Sequence, residues 1–233
     1  MLVISSLAPA LQEFSPSCRR AMTSPFRAPR YLESYVSVIQ QLDHVGVECL
    51  AQAVFSAWRE NHTVFVCGNG GNAANAAHIA ADLVKLTAPP RGPRLRAVAL
   101  GETLAGLTAI ANDIAYEEIF AEQLRAFLSP HDLVIGLSTS GSSPNVLRAL
   151  EYANESGAVT LGITGLGGHK LRSCARFPVV VASSSVQQIE DATMLIGHLV
   201  CLMVRDRVLA SIEGVTSTVV TDVPATAASH ATV

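Results

Sequence analysis

Charged residues are scarce in this sequence. Only 15% of its 233 residues are Asp, Glu, Lys or Arg, whereas 49% are hydrophobic. This composition indicates a large core or further surface buried against partner chains, so we expect a homo-oligomer. The formal net charge of -3 gives no general attraction to nucleic acid or to an anionic membrane, and we expect neither as a partner. An anionic ligand would have to be held by local groups.

Cysteine is also sparse, and its pattern excludes two kinds of site. The five cysteines are odd in number, widely scattered and never arranged as C-x-x-C, so we expect neither a disulfide framework nor a cysteine–zinc site. No apolar run reaches the length of a membrane span, and residues 1–30 lack the basic start of a secretory signal. We therefore predict a cytoplasmic protein with reduced thiols, although the arginines and serines of residues 1–30 leave a transit peptide open.

Five short apolar runs alternate with helical patterns along the chain. The runs cover residues 64–67, 95–100, 133–137, 158–164 and 177–182. Because a helical segment separates each run from the next, the strands should be parallel and joined by right-handed crossovers. We predict an α/β fold, namely a doubly wound five-stranded parallel sheet flanked by helices. Further helices are expected over residues 103–111, 115–128, 144–156 and 186–209.

The two ends of the sequence differ from its middle. Residues 1–30 mix proline, serine and arginine without periodicity, and residues 211–233 are rich in Thr, Val and Ala, so we expect both to be disordered. Apolar residues recur at helical spacing over residues 31–60, which predicts one long helix or two shorter ones. These helices precede the first strand and have no sheet face assigned to them, so we expect them to pack in the oligomer. Residues 31–210 would form a single domain.

A loop dense in hydroxyl groups follows the third predicted strand. Ser138, Thr139, Ser140 and Ser143 lie between that strand and a helix that begins near Pro144. Hydroxyls and backbone N–H groups at such a position are suited to a phosphate monoester. The alternative is a serine-rich loop that only caps its helix. We favour the phosphate interpretation because four hydroxyls in six positions exceed what a cap needs.

A glycine turn follows the first predicted strand and allows two interpretations. Gly68, Gly70 and Ala73 fit a loose dinucleotide-binding pattern, with Glu102 after the second strand as a candidate ribose ligand. The turn is also rich in side-chain amides, which would suit a polyol with many hydroxyls; these belong to Asn69, Asn72 and Asn75. The turn is not a P-loop, because the Gly-Lys-Ser/Thr ending is missing.

Two pairs of histidine and carboxylate lie on apolar helical segments. His78 and Asp82 are four residues apart, and Glu190 and His198 are eight apart with Met194 between them, so each pair shares a helix face. Singly, each has an ordinary explanation as a hydrogen-bonded core histidine or a carboxylate near a helix start. Together they could bind a divalent metal, because two imidazoles and two carboxylates are a ligand set that zinc accepts.

Four segments, in their order, resemble the SIS (sugar isomerase) domain family and, within it, the phosphoheptose isomerase branch. They are CGNGGNAANAAHIAADL (67–83), LTAIANDIAYEEIFAEQL (107–124), GLSTSGSSPNVLRAL (136–150) and QQIEDATMLIGHLV (187–200). The resemblance implies a homotetramer of five-stranded subunits with active sites at subunit boundaries. It also implies the conversion of sedoheptulose 7-phosphate into D-glycero-D-manno-heptose 7-phosphate.

The resemblance also assigns roles to individual residues. It implies that the hydroxyl loop holds phosphate through Ser138, Thr139, Ser140 and Ser143. It implies a zinc site formed by His78, Asp82, Glu190 and His198, with Asp82 and His198 as the residues that move the substrate proton. The remaining substrate contacts that it implies are Asn69, Gly70, Gly71, Asn72, Asn112, Asp113, Gln187 and Glu190.

Several positions depart from the family pattern. Asn72 stands where the family has serine, Asp82 where it has glutamate, Glu190 where it has a neutral glutamine, and Thr193 where it often has histidine. A non-catalytic branch that binds a replication-initiator protein has lost such groups. Retention of both histidines and two carboxylates argues for an enzyme. A regulator that binds a sugar phosphate or a protein, an isomerase of another ketose phosphate and a dinucleotide enzyme remain alternatives.

An aldose–ketose isomerase must remove a proton beside a carbonyl, stabilise an enediol and return the proton to the neighbouring carbon. Our hypothesis is that a metal polarises the C1 and C2 oxygens while His198 or Asp82 relays the proton. A group that binds the metal cannot be a free base at the same time, so the division of labour between these two residues is open.

Overall fold

The computed structural model describes residues 28–221 of the chain, with side chains described up to residue 212. Helix α1, Ala28–Gln40, belongs to a separate compact unit that ends at Gln40. Within it the rings of Tyr31 and Tyr35 stack with their centroids 6.2 Å apart. The expected use of the N-terminal helices in oligomer packing stays a prediction.

The second unit, which begins at Gln41, contains the alternating strands and helices. Asp43 starts its first helix by accepting a hydrogen bond from the backbone N–H of Gly46, as an N-cap residue does. In chain order the elements are α2 His44–Arg59, β1 Thr63–Gly68, α3 Gly71–Lys85, β2 Arg96–Ala99, α4 Leu104–Asp113, a 3-10 turn Tyr116–Glu118, α5 Ala121–Phe127, β3 Leu133–Leu137, α6 Pro144–Glu155, β4 Val159–Thr164, α7 His169–Cys174, β5 Phe177–Val180 and α8 Val186–Thr221.

The five strands form one parallel sheet in the order β2-β1-β3-β4-β5. All five residues of β3 are buried, as expected for a central strand covered by helices on both faces. The predicted doubly wound α/β fold is therefore confirmed. Gly68 pairs with Leu137 at the ends of β1 and β3, where the strand order reverses. The glycine turn and the hydroxyl loop consequently begin side by side, at the place where such sheets bind ligands.

Residues 31–60 contain two helices, one of the two predicted possibilities, and Asp43 caps the start of the second. Three boundaries differ from the sequence predictions. Helix α4 extends two residues past its predicted end and finishes with Asn112 and Asp113. The predicted helix 115–128 does not begin at Ala115, whose backbone is extended, and is replaced by a 3-10 turn and α5. Helix α8 continues to Thr221.

The disorder expected for residues 1–30 and 211–233 falls largely outside the described residues. Within the described part, α1 begins at Ala28 and α8 passes residue 211. None of the described helices combines the length and the apolarity needed to cross a membrane.

Helices α3 and α8 cross closely at Gly197. A Cβ added to Gly197 would lie 2.5 Å from Cγ1 of Ile79 and 2.9 Å from its Cδ1, so the absence of a side chain lets the two helices approach each other. His198 follows Gly197 in α8, and His78 precedes Ile79 in α3. Both histidines belong to the predicted site. The crossing therefore controls the separation of the two imidazoles.

Replacing Gly197→Ala should force α3 and α8 apart. Overpacking of this kind costs about 1–3 kcal/mol, which exceeds the gain of at most about 1 kcal/mol that alanine brings to a helix interior. We expect a lower unfolding free energy in chemical denaturation at fixed protein concentration. Gly106→Ala in α4 is the matched control, because its Cβ would meet nothing closer than 3.8 Å and should be neutral or stabilising. Equal effects of the two substitutions would contradict the close crossing.

Candidate active site

The glycine turn after β1 depends on one residue with a positive φ. Gly70 has φ 57° and ψ -122° and is the N-cap of α3, a conformation open in practice only to glycine. The backbone N–H of Asn72 donates to the carbonyl of Asn69 at 3.0 Å, which closes the turn. The start of α3 is thereby directed towards the carboxyl edge of the sheet.

Asn69 is held by two residues that the sequence did not single out. Its Nδ2 donates to Oδ1 of Asn145 and its Oδ1 accepts from Nδ2 of Asn145, both at 2.8 Å. The hydroxyl of Tyr116 also donates to Oδ1 of Asn69 at 3.1 Å. The predicted substrate contact through the Asn69 side chain therefore has to compete with this protein network. Asn145, which is buried in the first turn of α6, is the residue that joins the turn to the hydroxyl loop.

The hydroxyl loop has its side chains turned towards one another. Oγ of Ser138 lies 3.0 Å from Oγ of Ser143, and the hydroxyl of Ser142 donates to Oγ of Ser140 at 3.0 Å. Ser143 is the N-cap of α6 but makes no side-chain capping bond. The loop is therefore not explained by helix capping alone. Pro144 has no N–H and the N–H of Val146 donates to Oδ1 of Asn145 at 2.9 Å, so the first turn of α6 offers a ligand the N–H of Asn145 and the positive end of the helix dipole.

Asn72 provides a second, weaker link between the two segments. Its side chain is buried, and its Nδ2 donates to Oγ1 of Thr139 at 3.4 Å. Gly141 has φ 62°, and any Cβ there would meet Oγ1 of Thr164 at 2.8 Å, so this loop packs tightly onto the end of β4. Thr139 is partly exposed and Ser140 is exposed, so neither residue is closed off from a ligand at the carboxyl edge of the sheet.

Three of the four predicted metal ligands come together between α3 and α8. Nε2 of His78 lies 3.5 Å from Oδ2 of Asp82, Nε2 of His198 lies 3.6 Å from the same oxygen, and the two nitrogens are 3.4 Å apart. Ligand atoms of a tetrahedral zinc ion at about 2.0–2.1 Å are separated by roughly 3.3–3.4 Å. The three atoms therefore form a nearly equilateral triangle of the size that zinc requires, and the donor set fits the ion.

Glu190 is not part of this triangle. Its carboxylate instead lies on Gly71 at the start of α3, where an added Cβ would be 2.6 Å from Cδ and 2.7 Å from Oε1 of Glu190. Its backbone carbonyl accepts a hydrogen bond from Nδ2 of Asn75 at 3.0 Å. The structure thus separates Glu190 from the three residues with which the sequence grouped it.

The remaining predicted substrate contacts lie in more exposed positions. Asn112 and Asp113 are exposed at the end of α4, and Nδ2 of Asn112 donates to Oδ1 of Asp113 at 2.7 Å. Gln187 is exposed in the first turn of α8 and accepts a hydrogen bond from the hydroxyl of Ser185 at 3.4 Å. These local bonds do not connect the three residues to the triangle or to the hydroxyl loop.

Two further side chains of interest lie on α8, the helix that carries His198. Burial, together with the nearby charge of Asp82, raises the pKa of the Cys201 thiol to about 12, so the free thiol is protonated at neutral pH. Thr193 is buried and donates its hydroxyl to the carbonyl of Ile189 at 2.8 Å. Its side chain is thus used within α8.

The sheet and its two loops define the chain as a doubly wound α/β protein with a ligand crevice at the point where the strand order reverses. The sequence model described as "SIS domain" matches residues 30–165. The chain therefore belongs to the SIS domain family, and the resemblance found in the sequence is confirmed.

Relatives and solved structures point to one branch of this family. The phosphoheptose isomerase of Aquifex aeolicus is 39% identical over 159 residues, which cover 68% of this chain and 83% of the relative. That of Thermodesulfovibrio yellowstonii is 35% identical over 195 residues, covering 83% and 92%. The structure of phosphoheptose isomerase GmhA from Neisseria gonorrhoeae superposes with a TM-score of 0.71 at 27% identity, covering 77% of this chain and 97% of the other.

Asn145→Ala should disrupt the junction between the two loops. The substitution leaves the amide of Asn69 without its reciprocal partner in a partly buried position, which typically costs about 1–3 kcal/mol. Tyr116→Phe removes only the exposed third bond to Asn69 and should cost less than about 1 kcal/mol. Denaturation curves of both variants test the ranking, and a larger effect of Tyr116→Phe would show that Asn145 is not the main link.

Proposed function

We propose that the chain is an aldose–ketose isomerase that converts sedoheptulose 7-phosphate into D-glycero-D-manno-heptose 7-phosphate. The observation that carries the proposal is the triangle of His78, Asp82 and His198, in a chain whose relatives are phosphoheptose isomerases. In this proposal the hydroxyl loop binds the phosphate and the triangle carries out the proton transfer. The hydroxyl loop follows β3 at the edge where parallel sheets bind their ligands.

The phosphate is assigned to the loop formed by residues 138–143 and the N-terminus of α6. The loop contains neither Lys nor Arg, so hydroxyls and backbone N–H groups have to make the contacts. Ser138 and Ser143 face each other across this loop. Ser140 and Thr139 offer the more accessible hydroxyls.

The proton transfer is assigned to Asp82 and His198. When bound by His78, Asp82 and His198, zinc would supply a Lewis acid for the oxygens next to the transferred proton. Only Oδ2 of Asp82 belongs to the triangle, so its Oδ1 can accept the proton. His198 is about half exposed, with 45% of its side-chain surface accessible. Its Nε2 belongs to the triangle, so Nδ1 is the nitrogen left to exchange a proton with the neighbouring oxygen of an enediol.

The oligomer and the location of the protein are part of the same proposal. A homotetramer agrees with the exposed apolar side chains of the second unit, which include Val98 on the edge strand β2 and Leu104 and Ile114 on and after α4. Scattered cysteines and a sugar-phosphate substrate agree with a cytoplasmic protein. Assay of the purified chain against a panel of ketose phosphates, with and without zinc, distinguishes this function from binding without turnover, which would indicate a regulator.

Ser143→Ala should weaken substrate binding with little effect on the chemical step. Loss of a hydrogen bond to a charged phosphate corresponds to about a tenfold rise in KM with kcat nearly unchanged. Ser142→Ala is the matched control, since it removes an exposed hydroxyl from the same loop that is not assigned to the phosphate. Steady-state kinetics with sedoheptulose 7-phosphate measure both, and a fall in kcat alone for Ser143→Ala would argue against the assignment.

His198→Ala should impair both zinc binding and turnover. Removal of one of three protein ligands is expected to weaken zinc binding more than about 100-fold, as measured by calorimetry on metal-free protein. His169→Ala, at an exposed position on α7, should bind zinc as the unchanged protein does. If chelation leaves full isomerase activity, the metal is not the electrophile, and if His198→Ala binds zinc normally, the triangle is not its site.

A further inference from the structure

The N-termini of α3 and α6 both face the crevice at the carboxyl edge of the sheet, and their first turns have the same charge properties. Neither α3 nor α6 has an acidic residue in its first turn, and neither has a side-chain hydrogen bond at its N-cap. Most N–H groups of the two first turns are bonded within the protein, as those of Asn72 and Val146 are, so what the two ends share is the positive end of a helix dipole. Considered alone, both could bind the anionic end of a ligand.

A carboxylate from another helix distinguishes the two ends. Glu190 of α8 places its carboxylate directly on Gly71, the first residue of α3, at distances that leave no room for a Cβ there. The bond from Nδ2 of Asn75 to the Glu190 carbonyl ties α8 to α3 at this level. Within residues 28–212, no Lys, Arg or His forms an ion pair with this carboxylate. Its negative charge therefore acts on the α3 end of the crevice.

The α6 end carries hydroxyl groups in place of a carboxylate. The hydroxyl oxygens of Ser138 and Ser143 lie 3.0 Å apart at this end, and Thr139 and Ser140 add two further hydroxyls. A dianionic phosphate is thus accepted at α6 and repelled at α3. The two ends of the crevice differ in charge although they begin as equivalent helix starts.

We infer that Glu190 determines in which orientation the substrate binds and how many anionic groups the substrate can carry. It directs the phosphate to the α6 end and selects sugar phosphates whose other end is neutral, against those with a second anionic group, such as a carboxylate or a second phosphate. This inference rests on the proposed function, because it concerns the same crevice. It assigns to Glu190 a specificity role that does not require contact with a metal.

The test compares two ligands that differ only at C1. A heptitol 7-phosphate has a neutral alcohol there and a heptonate 7-phosphate has a carboxylate. Their dissociation constants are measured by calorimetry with the unchanged protein and with Glu190→Gln, a neutral side chain of the same shape. We expect the ratio of the acid's constant to the alcohol's to fall about fivefold to tenfold, as for removal of one charge roughly 7 Å from another at a partly exposed site.

Asp191→Asn is the matched control. It removes the same charge from the next residue of α8, which is exposed, and should leave the ratio within about twofold. An unchanged ratio in Glu190→Gln, or equal changes in both variants, would overturn the inference. Glu190→Ser provides a second neutral variant should Glu190→Gln fold poorly. Failure to turn over sedoheptulose 7-phosphate would overturn the proposed function instead, because the binding ratio is measured without turnover.

Discussion

The close crossing of α3 and α8 is the contact on which the candidate site depends. Two helices that meet through a glycine can approach each other more closely than two that meet through larger side chains. Here Gly197 of α8 contacts Ile79 of α3. The two histidines of the triangle, His198 and His78, are the residues next to them in the sequence. The size of the triangle, and hence its fit to zinc, follows from how closely these helices pack. The same two helices also bring the carboxylate of Glu190 to Gly71. The packing of α8 against α3 therefore positions both the triangle and Glu190.

A second contact, a pair of hydrogen bonds, connects the glycine turn to the hydroxyl loop at the carboxyl edge of the sheet. Strand pairing places Gly68 beside Leu137, but the loops that follow could still diverge. The reciprocal amide bonds between Asn69 and Asn145 prevent this, because two hydrogen bonds between planar amides fix both distance and orientation. An amide rather than a charged group suits this position, since a buried charge would need its own partner.

The sequence predicted the fold and the proximity of His78 to Asp82 for clear physical reasons. Strand and helix periodicities identified the parallel sheet, and the four-residue spacing of His78 and Asp82 placed both on one helix face. Spacing within a helix does not report which way a side chain turns at a contact with another helix. Glu190 was therefore grouped with His198, although its carboxylate extends towards α3. Asn145 was missed because its partner, Asn69, is 76 residues away and no local pattern signals such a pair.

The charge of the site explains why its parts belong together. In the proposed function the crevice receives a phosphate dianion, in a chain with a net charge of -3, without Lys or Arg in the hydroxyl loop and with the carboxylates of Asp82 and Glu190 on the helices α3 and α8. Hydroxyls and helix N–H groups can hold phosphate but bring only partial positive charge. A divalent cation at the triangle of two neutral imidazoles and one carboxylate would leave a net positive charge there. Metal binding at α3 and phosphate binding at α6 would then favour each other through the crevice, while the carboxylate of Glu190 would keep the phosphate from the N-terminus of α3.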